Sequence, residues 1–420
     1  MRVHGTEALV AGLRAGGHLD EGWTPAFRAV DRGAFVPERV WLRGEGGYWT
    51  LTHEAEPATW RRAVYSDTAV VTQVEGSGDP AMVPTSSASM PRVVARMLEV
   101  LDVRAGNRVL EAGTGTGYNA ALLAHRLGDA HVTSVETDPL LAEAARAALK
   151  DAGFAPTVVT GDADRGHAAG APYDRVIATY AVHDIPYAWV RHTRPGGALV
   201  LPWGTGLFNG VLVRLTVRGG PGGSPVAEGR VVDDTAFMWD RTQAPARDVM
   251  ATVRGAAAAA ARVSRTPLDP RAVLGDDDMA FTAGVLVPDT RYSVGHGPDG
   301  EFTLWIADAA SGSWASVDYV PGDTEFELQQ YGPRALWDEV GTAYAWWHTA
   351  GSPARTRYGL TVGPGPTRVW LDHPHQHVTT RAGGRGSAGT RGGVRRGRSG
   401  GVCPVGRCSR GLGGCWSGGC

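Results

Sequence analysis

An apolar run, Val109-Leu110-Glu111-Ala112, enters a loop with glycine at every second position, Gly113-Thr114-Gly115-Thr116-Gly117. A helical pattern follows at once over 119–127. Small residues at such a junction let backbone approach a ligand closely and turn tightly into a helix N-terminus, whose free N–H groups favour polar ligands. The next apolar run, 131–136, ends on Glu136, placed to accept hydrogen bonds from a ribose. Asp162 follows a further strand candidate at 157–160 and has two readings. It accepts from an adenine amino group, or it caps the next loop as acids often do. The dinucleotide fingerprint has its third glycine one position later than this chain does. A nucleotide-type ligand is expected.

Gly113-x-Gly115-x-Gly117 with Glu136 resembles the cofactor loop of class I S-adenosylmethionine methyltransferases. Upstream, Ser87-Ala88-Ser89-Met90-Pro91 is similar to the Thr-Ile-Ser-x-Pro element that precedes this loop in protein-L-isoaspartate O-methyltransferases. Phe35-Val36-Pro37, Tyr65-Ser66-Asp67, 172–177 and 195–202 match that family in the same order, so the resemblance covers about residues 20 to 218. It implies S-adenosyl-L-methionine as cofactor, held by Glu111, Gly113, Thr114, Gly115, Gly117, Glu136, Asp162 and Ala163. It also places Ser89 at the family's active-site serine and implies an aspartyl or isoaspartyl carboxylate as acceptor. The chain departs from the family where Thr-Ile-Ser reads Ser-Ala-Ser, where Gly-Asp-Gly reads Gly161-Asp162-Ala163, and around 178–183.

Methyl transfer from a sulfonium to a carboxylate is undemanding in groups and strict in geometry. A carboxylate with a pKa near 4 is already ionised at neutral pH, so no general base is required. Rate then comes from aligning oxygen, carbon and sulfur and from excluding water. The chain accordingly shows no triad, no paired acids and no metal-ligand cluster, and no metal is expected. Ser89 would orient the acceptor by a hydrogen bond. The competing reading makes it the N-cap of a helix starting near Pro91.

The elements that must position these groups alternate strand and helix, the pattern of an α/β fold with a doubly wound, mostly parallel, Rossmann-like sheet. Asp138-Pro139 caps and starts a helix over 140–150, with Leu141, Ala144, Ala145, Ala148 and Leu149 on its inner face. Strands are expected at 157–160, 175–179, 198–201 and 211–217, several of them apolar on both faces. Beyond residue 220 the pattern predicts strands at 231–240, 281–287, 302–307, 314–319 and 326–330. Helices are expected at 247–263 and from 336 to Gly351, with a hairpin over 358–372.

Four segments follow from this reading. They are a helical cap (1–85), a cofactor-binding methyltransferase domain (86–220), a smaller α+β domain (221–378) and a disordered Gly/Arg/Cys-rich tail (379–420). Residues 381–420 hold fifteen glycines, eight arginines, all four cysteines and no acid, so the rest of the chain carries ten more acidic than basic groups. So apolar-poor a tail cannot offset its ordering entropy. A phosphate-binding arm and a zinc site are weaker readings, since the cysteine spacing lacks a C-x-x-C knuckle. The histidine-rich 373–377 has no partner cluster for a metal. The absence of a long apolar run and of an N-terminal apolar core leads to the expectation of a cytoplasmic protein without membrane partners.

Three function classes follow. The leading one is a carboxyl methyltransferase acting on a peptide or protein. The layout with a large C-terminal extension resembles family members in actinobacterial clusters for ribosomally made, modified peptides, which esterify an aspartate of a precursor peptide. The second is a small-molecule or nucleic-acid methyltransferase with the same cofactor fold. Asp184-Ile185-Pro186-Tyr187 misses the amino-methylating motif by one proline, and the acidic body disfavours a polyanion. The third is a cofactor-binding module without catalysis. Seven of the fourteen tryptophans lie between 239 and 370, read as core of the extra domain or as a peptide-binding surface.

Overall fold

The computed structural model describes residues 5–44, 47–76, 82–208, 210–243, 249–255 and 260–379. The tail from 380 onward, including its cysteines, lies outside the described residues. Helix α1 (Thr6–Ala15) buries Leu9, Val10 and Leu13, and α2 (Thr24–Ala29) buries Phe27 against the same core. Next come β1 (Arg39–Gly44), β2 (Gly47–Thr52), α3 (Pro57–Val64), β3 (Val70–Glu75) and β4 (Val83–Ala88). The four strands form an antiparallel sheet in the order β2-β1-β3-β4. The expected helical cap is thus half sheet, and β4 runs through the boundary placed at 85/86. Val40 and Leu51 pair across β1 and β2 and are buried together with Trp60 and Val64, so this sheet has a small core of its own.

Helix α4 (Pro91–Leu101) leads to β5 (Val109–Ala112), α5 (Tyr118–Leu127), β6 (Val132–Glu136), α6 (Pro139–Asp151) and β7 (Thr157–Thr160). Then follow β8 (Tyr173–Ala178), α7 (Tyr187–Arg191), β9 (Thr193–Trp203), β10 (Val211–Gly219) and β11 (Pro225–Asp234). Asp138 caps α6 as expected, accepting from the N–H of Leu140 and Leu141. On α6 the buried residues are Ala142, Ala145 and Leu149, whereas Ala144 is exposed, a one-residue rotation of the expected face.

The chain continues through α8 (Val249–Gly255), β12 (Arg262–Thr266), α9 (Pro270–Leu274), α10 (Asp277–Leu286), β13 (Arg291–His296), β14 (Phe302–Asp308), β15 (Ser313–Tyr319) and β16 (Phe326–Tyr331). It ends with α11 (Leu336–Thr349), β17 (Tyr358–Val362) and β18 (Arg368–Leu371). The expected strand at 281–287 is α10. Asp276 caps it, and Met279 to Gly284 are all buried, so no helical period marks the sequence. Of the helix expected over 247–263, α8 covers Val249–Gly255, residues 256–259 lie outside the described residues, and Arg262-Val263 already belong to β12.

The central sheet has nine strands in the order β18-β17-β11-β10-β9-β8-β5-β6-β7. Strands β5 to β9 pair in parallel, and the remaining pairings are antiparallel. The boundary expected at 220/221 therefore falls inside the β10–β11 hairpin, and β17–β18 extend the same sheet. A five-stranded antiparallel sheet, β12-β16-β15-β14-β13, packs through Leu304, Ile306, Val317 and α11 into the core that also buries Leu110, Val176 and Leu199. Among the seven C-terminal tryptophans, Trp314, Trp337, Trp347 and Trp370 are buried. One continuous core, and not a linker, joins the two halves. Among the described residues no helix is long and apolar enough to cross a membrane.

Candidate active site

Strand β5 and helix α5 fix the glycine loop between them. Gly113 has φ +89, and a Cβ there would come within 2.8 Å of Thr179 Oγ1 and 2.9 Å of Tyr180 Cδ1. Gly115 has φ +53 and donates its N–H to Glu136 Oε2 at 2.8 Å. The other carboxylate oxygen of Glu136 accepts from Asp138 N–H at 3.1 Å. The acid at the end of β6 thus ties the loop to the start of α6 and keeps lone pairs for a ligand. Gly117 differs from the other two. It caps α5 and packs on α6, its missing Cβ facing Ala145 and Leu149, and it is not on the cavity wall, contrary to its expected ligand role.

Glu111 is fully buried. Asn119 Nδ2 donates to its Oε1 at 2.7 Å and Ser134 Oγ to its Oε2 at 2.5 Å, while Thr114 Oγ1 meets Ser134 Oγ at 2.6 Å. Burial pushes the Glu111 carboxyl up to about 7; the hydrogen bonds from Ser134 and Asn119 oppose that rise, and the neighbouring Glu136 adds to it. Both oxygens are engaged by protein donors, so Glu111 braces the loop from behind.

A cavity of about 630 Å³ opens over this loop, within the range of small-molecule sites. Ser89, Glu111, Gly113, Thr114, Gly115, Glu136, Asp162 and Ala163 all lie on its wall. Asp162 accepts from the N–H of Asp164 at 3.0 Å, which is the capping role, and it lines the cavity as well. Leu140, 74% exposed on the first turn of α6, belongs to the wall and was missed. An apolar residue on the polar side of an amphipathic helix was its signal.

Ser89 precedes α4 but does not cap it. The N-cap is Met90, without a side-chain hydrogen bond, and the N–H of Arg92 is taken by Asp67 Oδ1 at 2.9 Å. The Ser89 carbonyl is held by Arg32, whose buried guanidinium also donates to the carbonyls of Ala88 (3.0 Å), Thr68 (3.0 Å), Ser66 (3.3 Å) and Val64. Burial lowers the Arg32 pKa to about 10, which leaves it charged at neutral pH.

The remaining wall comes from 237–242, which follow β11 and leave the sheet where a strand to 240 was expected. Ala181 N–H donates to Met238 O and Asp240 N–H to Ala181 O, both at 2.8 Å. Gln243 Oε1 accepts from the N–H of His183 and Asp184, each at 2.9 Å. The unusual stretch 178–183 is therefore the docking strip for a segment more than fifty residues away. Arg241 Nη2 donates to Gln73 Oε1 at 3.0 Å, and Gln73 Nε2 to Asp138 Oδ2 at 2.9 Å, so the segment also meets β3 and α6.

Asp164 accepts from Tyr180 OH at 3.0 Å beside this segment. Burial first, then the neighbouring Asp240 and Asp162, push its carboxyl up to about 6, against the lowering effect of Tyr180 and Gln243. The sign follows from linkage. An acid with a raised folded pKa binds its proton more tightly when folded, so folding stability falls as pH rises from about 4 to 6. Asp164→Asn is expected to stabilise the protein at pH 7.5 by about 1 kcal/mol, after discounting for solvent screening. That gain should shrink as the pH falls through about 6 and vanish below about pH 4. A melting-temperature difference that is flat across this range would refute the assignment.

A parallel sheet whose first strand turns through Gly-x-Gly-x-Gly into a helix, with an acid from the adjacent strand holding that loop, defines a class I methyltransferase fold. Within that class, the chain belongs to the protein-L-isoaspartate O-methyltransferase family. The family model for protein-L-isoaspartate(D-aspartate) O-methyltransferase matches residues 53–218. A protein-L-isoaspartate O-methyltransferase 2 of Archaeoglobus fulgidus is 36% identical over 200 residues, 47% of this chain and 78% of the relative. The Ignicoccus hospitalis protein-L-isoaspartate O-methyltransferase is 43% identical over 116 residues, 27% of this chain, and the chain spans 55% of its length. A solved protein-L-isoaspartate O-methyltransferase aligns with 88% of this chain and 100% of its own, at 20% identity and a TM-score of 0.48.

Proposed function

We propose that the protein transfers a methyl group from S-adenosyl-L-methionine to an aspartyl-type carboxylate of a peptide or protein. The observation that carries this reading is the Ser89 hydroxyl. It is free of any capping duty and lies on the same cavity wall as the glycine loop and Glu136. The residues suit the cofactor. Gly113 and Gly115 hold left-handed backbone on the cavity wall, Gly113 packed too closely on Thr179 and Tyr180 for a Cβ, and Glu136 and Asp162 put acids on the wall for ribose hydroxyls and an adenine amino group. When bound, S-adenosylmethionine supplies an electrophilic methyl on a sulfonium cation. Ser89 then donates its O–H to one acceptor oxygen and leaves the other to attack. The wall from 237–242 limits water, and no proton has to move before attack.

We further favour a specialised peptide acceptor over broad repair, because 237–242 add to the cavity a wall that lies beyond the family match to residue 218. The deciding assay is methyl release by the full chain from an isoaspartyl hexapeptide and its aspartyl twin. Transfer to the aspartyl peptide supports the specialised acceptor, transfer to the isoaspartyl peptide alone supports repair, and methylation of only nucleic acid or small molecules overturns both. In the productive assay Ser89→Ala should lower turnover about tenfold or more, with unchanged affinity for S-adenosylhomocysteine.

A further inference from the structure

A second cavity, of about 390 Å³, shares Trp239 and Thr242 with the first. Its wall includes His183, Asp184, Asp289, Arg291 and Asp308. Arg291 is unlike the other partly buried arginines of this half. Arg334 meets Asp308 at 3.1 Å, and Arg355 meets Asp278 at 2.5 Å. The Nε and Nη2 of Arg291 are buried with no acceptor among the described residues. Its guanidinium carbon lies 5.2 Å from the Trp239 ring centroid. A ring face satisfies the face of a guanidinium and leaves the in-plane N–H groups unused, and those groups match a carboxylate once a small shift of the partly exposed side chain opens them to the cavity. A half-buried cation without an anion costs stability, and burial lowers the Arg291 pKa to about 10. The cavity's own acids do not meet this need. Asp308 is committed to Arg334 and the Ala310 N–H, while Asp184 and Asp289 are exposed.

We propose that this cavity is a subsite for a carboxylate on the peptide segment flanking the methyl acceptor, with Arg291 as its anion-binding group and Trp239 as the wall shared with the reacting site. The inference rests on the peptide carboxyl-methylation reading. An acidic side chain near the acceptor residue would reach Arg291 while the acceptor itself enters the cavity over the glycine loop. Specificity would then arise from contacts remote from the reacting atoms.

The test uses the full chain and aspartyl hexapeptides that carry one glutamate, scanned through the flanking positions, each with a glutamine twin. Calorimetric titration in the presence of S-adenosylhomocysteine should show at least one glutamate peptide binding about tenfold tighter than its twin. Arg291→Gln should erase that difference without lowering the melting temperature, because it removes an unpaired buried charge. Arg291→Lys, which keeps the charge and loses the fork, should retain part of the preference. Equal affinity of all twins for the wild type, a preference that survives in R291Q, or no peptide binding at all would each overturn the subsite. The wild-type comparison decides even if R291Q misfolds. Methyl transfer to the same peptides tests the parent reading separately. Charge-selective binding without transfer supports the subsite and counts against carboxyl methylation, and transfer without charge selectivity does the reverse.

Discussion

Replacing Arg32 with methionine is expected to lower stability by about 3–5 kcal/mol, the scale for removing one side of a buried charged network. The side chain is 1% exposed and serves five carbonyls, from Val64, Ser66, Thr68, Ala88 and Ser89. Methionine fills most of the volume and answers none of them, so each buried or part-buried carbonyl loses the Arg32 donor. Lysine is a poor rescue, because a single ammonium cannot reach acceptors spread over two terminal guanidinium nitrogens. The melting temperature should fall by on the order of 10 °C. Methyl transfer measured well below that transition should fall too, since the Ser89 backbone loses its anchor. A melting point within about 2 °C of wild type would show that the carbonyls find other donors.

The second large effect is expected at Glu136. Its carboxylate accepts from the N–H of Gly115 and of Asp138, so Glu136→Ala removes a ligand acceptor and also releases the loop that shapes the cavity. Charge-assisted hydrogen bonds of this kind contribute about 1.5–3 kcal/mol. S-adenosylhomocysteine affinity should therefore drop by on the order of 100-fold. Glu136→Gln, which keeps an acceptor without the charge, should lie between wild type and alanine. Calorimetry on the folded variants reads the result, and an unchanged dissociation constant in E136A would remove Glu136 from the cofactor site.

Much of the wall of this cavity was legible in the sequence because it is local. The glycine loop, the strand before it and the helix after it are contiguous, and β7, β8, β14, β15 and β16 lie within a few residues of their expected places. Ser89, which lines the same cavity, was singled out from its neighbours, although its relation to the helix was open. The tertiary structure decided that relation, because Asp67 rather than Ser89 reaches the first turn of α4. It also gave Gly117 to helix packing, Glu111 to an internal brace and 237–242 to the cavity wall.

What the sequence by itself determined is the class of ligand and the places along the chain of the parallel strands that present it. What only the tertiary structure decided is where the C-terminal third goes. Strands β11, β17 and β18 extend the central sheet instead of building a separate body, and α10 disappears from the periodicity because it is buried on every side. The physical reason is the range of the interaction. A turn, a cap or an amphipathic face is written within one element. The pairing of β11 with β17 joins residues more than one hundred positions apart, and it is fixed by a shared core that no single segment encodes.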